Sequence, residues 1–111
     1  MKVLILGGDG KLGPWVVKAL EGGDYDLRVT DVNEPDTPHD SRAVDVADFD
    51  QVMSAAEGMD AMVNCSVLRS DGKIAFDVNT LGTYNAARAA VEHGMSRLVN
   101  TGPHFTITGS V

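Results

Sequence analysis

The stretch from Lys2 to Gly13, KVLILGGDGKLG, constrains the fold more than any other part of this chain. A short β-prone apolar run, Lys2 to Leu6, passes directly into a turn that holds Gly7, Gly10 and Gly13, and a helix-forming segment, Trp15 to Glu21, follows. The same residues fit G-x-G-x-x-G from Gly8 and G-x-x-G-x-x-G from Gly7. A strand, a glycine turn and a helix in that order suit a diphosphate. The turn is tight, the backbone approaches the phosphates with no Cβ in the way, and the helix packs close on its strand. The helix N-terminus adds free N–H groups and a positive dipole end. Pro14 agrees, because a first helical turn tolerates a residue without an N–H.

The rest of the chain must build a sheet around that unit. With 111 residues there is material for one small domain, residues 1–111. A hydrophobic content of 43% with 23% charged residues is that of a globular chain. No apolar run approaches the roughly 20 residues of a membrane span, and nothing at the N-terminus reads as a signal peptide. Cys65 is the single cysteine, so no internal disulfide is available and a cytoplasmic location is expected. A net charge of −7 argues against nucleic acid, which calls for a basic surface. It does not argue against a dinucleotide, whose phosphates backbone N–H groups can meet.

Taken in order, Asp26 to Asp31 (DLRVTD) predicts a second strand and Asn33 to Ser41 a loop. Arg42 to Val46 predicts a short third strand. A helix runs from Asp48 through Glu57, with Gln51 as its capping-box partner, and Asp60 to Cys65 predicts a fourth, buried strand. After a polar break at 69–73, the longest helix spans about Ile74 to His93 and ends at Gly94. Arg97 to Thr101 predicts a fifth strand. Strands alternating with helices give right-handed crossovers and a Rossmann-type, doubly wound parallel sheet in three α/β/α layers, with strand order 3-2-1-4-5. The ligand crevice then lies over the carboxyl ends of strands 1 and 4.

Asp31 closes the second strand eighteen residues after Gly13, where a carboxylate can accept hydrogen bonds from ribose hydroxyls. It would repel a 2′-phosphate, so NAD is expected over NADP. Asp45 follows in the stretch AVDVAD, as a ligand contact or as a plain loop residue, and Asp48 as a cap. Asn64, Cys65 and Ser66 end the fourth strand opposite the glycine turn. Cys65 reads as a packing residue, with no adjacent His or Lys to activate it. On the long helix, Ala75, Asn79, Gly82, Ala86 and Ala90 share one face, with Asn79 its one polar member, directed at the crevice. The far face carries Ile74, Leu81 and Tyr84 among charged residues, a mixture too apolar for a plain solvent face and suited to a homodimer contact through the 74–93 helix. His39, His93 and His104 have no metal-site spacing, so no metal is expected.

In these blocks the chain resembles the extended short-chain dehydrogenase/reductase superfamily, the NAD-dependent epimerase/dehydratase group. The matching stretches are GGDGKLG at 7–13, VTDV at 29–32, VDVAD at 44–48, DAMVNC at 60–65 and FDVNTLGTYNAARAAVEHGMSRLVNT at 76–101. The resemblance implies cofactor contacts at Gly7, Gly10, Lys11, Leu12, Gly13, Asp31, Asp45, Val46, Cys65, Ser66 and Asn79. It places Asp45 at the adenine amino group and Val46 along the ring. It implies an oxidoreductase that exchanges hydride with a hydroxyl or carbonyl carbon of a small molecule such as a nucleotide sugar. Two departures stand against a complete enzyme. Neither Tyr25 nor Tyr84 begins the family's Tyr-x-x-x-Lys, and Pro103 falls where its catalytic Ser or Thr belongs. Thr101, or Ser110 after an insertion, is the substitute on offer. The chain reads as the front half of a longer enzyme, cut after strand 5, or as a non-catalytic dinucleotide sensor.

Overall fold

The computed structural model describes residues 1–66 and 77–101. Five strands form one parallel sheet: β1 (Lys2–Leu6), β2 (Asp26–Asp31), β3 (Asp40–Ala43), β4 (Ala61–Asn64) and β5 (Arg97–Asn100), in the order β3-β2-β1-β4-β5. The expected Rossmann-type order is therefore the observed one. Strand β1 lies at the centre because it is apolar on both faces. Leu4 and Leu6 face a core with Val52, Ala55, Ala56, Met62, Ala86 and Ala89. Val3 and Ile5 face a second core with Leu27, Val29 and Ala61, on which Val16, Val17 and Leu20 of α1 (Gly13–Glu21) pack. Leu4, Ile5 and Leu6 are fully buried, each worth about 1.5–3 kcal/mol of transfer free energy. Helices α2 (Phe49–Ala56) and α3 (Gly82–Glu92) cover the first core, which completes the three layers.

Helix ends follow local chemistry. The Asp48 side chain accepts from Gln51 N at 3.2 Å, as a cap should. The reciprocal half of the capping box differs, because Gln51 Oε1 accepts from Asp45 N at 2.8 Å instead of from Asp48 N, which donates to Asp45 O. Helix α3 ends in a Schellman motif: Met95 N donates to Ala90 O, Gly94 N to Val91 O, and Gly94 has φ +63°.

Two expectations are corrected. The third strand is Asp40–Ala43, not Arg42–Val46, because β2 stops at Asp31 and its register pairs Asp31 with Ala43. Beyond Ala43 the chain has no continuing partner strand, so Asp45 stands in the connection to α2. The long helix is not α-helical throughout its described part. Asp77–Leu81 forms a π-helical turn before α3, and the extra residue shifts the helical phase. The buried face of α3 keeps the expected Gly82, Ala86 and Ala90 and adds Asn85 and Ala89, whereas Asn79, in the π-helical turn, is only half-buried. Ile74 and Ala75 lie outside the described residues, as do Pro103 and Ser110.

Candidate cofactor site

The strand register aligns Leu6 with Thr30 on one side and with Asn64 on the other. The next residue of each chain segment, Gly7, Asp31 and Cys65, therefore emerges at the same edge of the sheet. That edge opens into a cavity of about 400 Å³, within the range of small-molecule sites. Gly7, Asp9 and Gly10 of the turn line it. Asp31 and Val32, then Val44, Asp45 and Val46, line the side toward β3. Cys65, Ser66 and Val78 close the other side.

The three glycines of the seven-residue pattern do different work. Gly7 has φ +75°, and a Cβ there would fall 2.7 Å from Ser66 N. A Cβ on Gly13 would fall 2.4 Å from the carbonyl oxygens of Gly7 and Gly8, so this glycine lets α1 close on the turn. At Gly10 a Cβ would meet no protein atom nearer than Gly7 O, at 3.5 Å. Gly10 is therefore not required by packing, and it lines the cavity where backbone must approach a ligand. No side chain caps the N-terminus of α1, which leaves its dipole end available to an anion.

Asp31 is held at both oxygens. Oδ2 accepts from Asp9 N at 2.9 Å and Oδ1 from Val32 N at 2.7 Å. The carboxylate thus fixes the glycine turn while facing the cavity, and each oxygen keeps a further lone pair for a ligand hydroxyl. The wall at 44–48 is also tied down: Val44 N donates to Asp31 O, Ala47 N to Asp45 Oδ1, and Asn85 Nδ2 to Val46 O.

On the other side, Asn64 is buried and bonds to Asn100 Oδ1 and Ser66 N. Burial pushes the Cys65 thiol above its ordinary value, partly offset by a hydrogen bond with Thr101. A protonated, buried thiol is a packing group and not a nucleophile. The Thr101 hydroxyl donates to Asn64 O at 2.8 Å.

Of the residues singled out in the sequence, Gly7, Gly10, Asp31, Asp45, Val46, Cys65 and Ser66 come together around the cavity. Lys11, Leu12, Gly13, Asn79 and Thr101 are not among its lining residues. Asp9, Val32, Val44 and Val78 line it without having been anticipated. The alternation Val44-Asp45-Val46 carried a signal for Val44, and the π-helical turn places Val78, the neighbour of Asn79, at the wall.

A family model, the 3-beta hydroxysteroid dehydrogenase/isomerase family, matches residues 4–108. The chain belongs to that family. It is accordingly a member of the short-chain dehydrogenase/reductase superfamily that its motifs resemble. Family relatives include the 3 beta-hydroxysteroid dehydrogenase/Delta 5→4-isomerase of vaccinia virus (strain Western Reserve), 30% identical over 112 residues, covering 87% of this chain and 32% of that protein. A short-chain dehydrogenase/reductase superfamily protein from Agrobacterium tumefaciens, with bound NAD, superposes with a TM-score of 0.80 at 25% identity. The match covers 90% of this chain and 32% of that one. A uronate dehydrogenase mutant from the same organism, in complex with NAD, gives 0.77 at 26% identity, over 89% and 39%. The chain thus spans about a third of the length of the 3-beta hydroxysteroid dehydrogenase/isomerase relatives it matches.

Proposed function

We propose that residues 1–111 form the cofactor-binding domain of a dehydrogenase and that the cavity at the sheet edge takes NAD. The carrying observation is the pairing of Gly10, whose missing Cβ leaves the turn open to a ligand, with Asp31, whose carboxylate faces the same cavity. The open cradle and the oriented carboxylate fit a dinucleotide. The diphosphate lies on the turn at Gly7, Gly10, Lys11, Leu12 and Gly13 and against the N-terminus of α1. The adenosine ribose bonds Asp31, the base lies between Asp45 and Val46, and Cys65, Ser66 and Asn79 border the remainder. The carboxylate disfavours a 2′-phosphate, so NAD is preferred to NADP. Bound there, the oxidised cofactor would supply a hydride acceptor for the hydroxyl-bearing carbon of a small-molecule substrate, and the reduced cofactor a hydride donor for a carbonyl carbon. The residues described here bind and orient the cofactor, and the acid/base group belongs to the parent protein. Nucleotide sugars are one substrate class for such a parent, and the family name points to secondary alcohols more widely.

The parent is read as cytoplasmic, and as a homodimer through the 74–93 helix. Leu81 and Tyr84 support the second point, being 42% and 60% exposed on the outer side of that helix. The Thr101 hydroxyl, already donating to Asn64 O, favours a second reading as a non-catalytic dinucleotide sensor. Calorimetric titration with NAD and NADP tests the first reading, and tighter NADP binding overturns the stated preference. The coding sequence beyond Val111 decides between enzyme and sensor: a Tyr-x-x-x-Lys supports the enzyme, and its absence the sensor.

A further inference from the structure

We propose that Asn85 is a positioning residue for the base-binding wall, acting through the backbone of Val46; the inference rests on the cofactor reading above. Asn85 is 5% exposed near the start of α3, on its buried face, where an unpartnered amide would be costly. Its Nδ2 donates to Val46 O at 2.9 Å, a contact between residues 39 apart in sequence. Gly82, one turn earlier, brings the helix against the same residue, since a Cβ there would fall 2.8 Å from Val46 Cγ2. Gln51 of α2 holds the neighbouring residue by accepting from Asp45 N. The wall segment is therefore hydrogen-bonded to two helices, and the strand pairing of β3 ends at Ala43. Val44, Asp45 and Val46 all line the cavity, whereas Asn85 does not. Its amide fixes where those three stand without touching the ligand.

Asn85→Leu keeps the volume and removes the donor. The test compares the affinities of NAD, AMP and nicotinamide mononucleotide for the unmodified chain and this variant, with amide hydrogen exchange as a ligand-free readout. The expected result is a loss of about tenfold for NAD and AMP together, the scale of one hydrogen bond. Affinity for nicotinamide mononucleotide stays unchanged, and the Ala47 and Asp48 amides exchange faster. Gln51→Leu, on the exposed side of α2, gives the same split if Asn85→Leu does not fold. Equal losses for all three ligands, or none, overturn the positioning role. If the unmodified chain binds neither NAD nor AMP, the cofactor reading fails and this inference falls with it.

Discussion

Gly10 and Gly13 belong to one motif, yet a side chain at each should fail in a different way. At Gly13 a Cβ would press to 2.4 Å on two backbone carbonyl oxygens, atoms that cannot swing aside. Gly13→Ala must shift α1 or open the turn, which costs about 2 kcal/mol or more on the scale of overpacking. For a domain of this size that lowers Tm by roughly 4–8 °C per kcal/mol. At Gly10 the nearest protein atom stands 3.5 Å away, and the backbone is not in the left-handed region. Gly10→Val should therefore change stability by no more than about 1 kcal/mol in either direction. Its side chain instead occupies the space in which the diphosphate must sit, so NAD binding is abolished. Thermal melts followed by circular dichroism, with calorimetric NAD titration of each variant, read both effects. Equal loss of Tm in the two variants, or NAD affinity retained in Gly10→Val, would refute the separation of roles.

Other outcomes follow from the same geometry. Asp31→Ala should narrow the preference for NAD over NADP and speed exchange of the Asp9 amide, which loses its acceptor; an unchanged preference counts against the ribose contact. Because burial holds the Cys65 pKa above its ordinary value of 9.0, the folded state binds that proton more tightly than the unfolded chain, and this contribution to stability falls as pH rises past 9. Urea midpoints of the unmodified protein should therefore decline more steeply above that pH than those of Cys65→Ala, and parallel curves would contradict it. Leu81→Glu combined with Tyr84→Lys should yield monomers that remain folded, and sedimentation showing an unchanged oligomer would remove the helix as the contact.

How far the sequence alone reaches depends on whether local pattern or distant pairing sets a feature. Strand β2 was legible to the residue, because DLRVTD is bounded by Gly23-Asp24 before it and the Asn33–Ser41 loop after it. Strand β3 was misplaced, since its limits come from pairing with β2 and not from its own composition. The α3 part of the long helix was legible, since Gly82, Ala86 and Ala90 are buried as a 3.6-residue count places them and Asn85 joins them three residues after Gly82. The π-helical turn, which no such count anticipates, holds Asn79, which is only half-buried. Arg28 shows the same limit. It reads as a strand residue, yet its guanidinium pairs with Asp40 at 2.7 Å and donates to Ala55 O and Glu57 O at the end of α2. That contact ties β2, β3 and a helix C-terminus together, where a cation is favoured. The cavity itself was largely foreseeable, because strand ends in a parallel sheet converge on one edge.

The central claim is that NAD sits on the glycine turn and against the Asp31 side of the cavity. Backbone amide shifts of isotope-labelled protein, followed during NAD titration, test it directly. The account predicts saturable shifts centred on Gly7 to Gly10, Asp31, Asp45 and Val46, with NADP producing weaker ones. Shifts confined to other surfaces, or none at millimolar NAD, would contradict it.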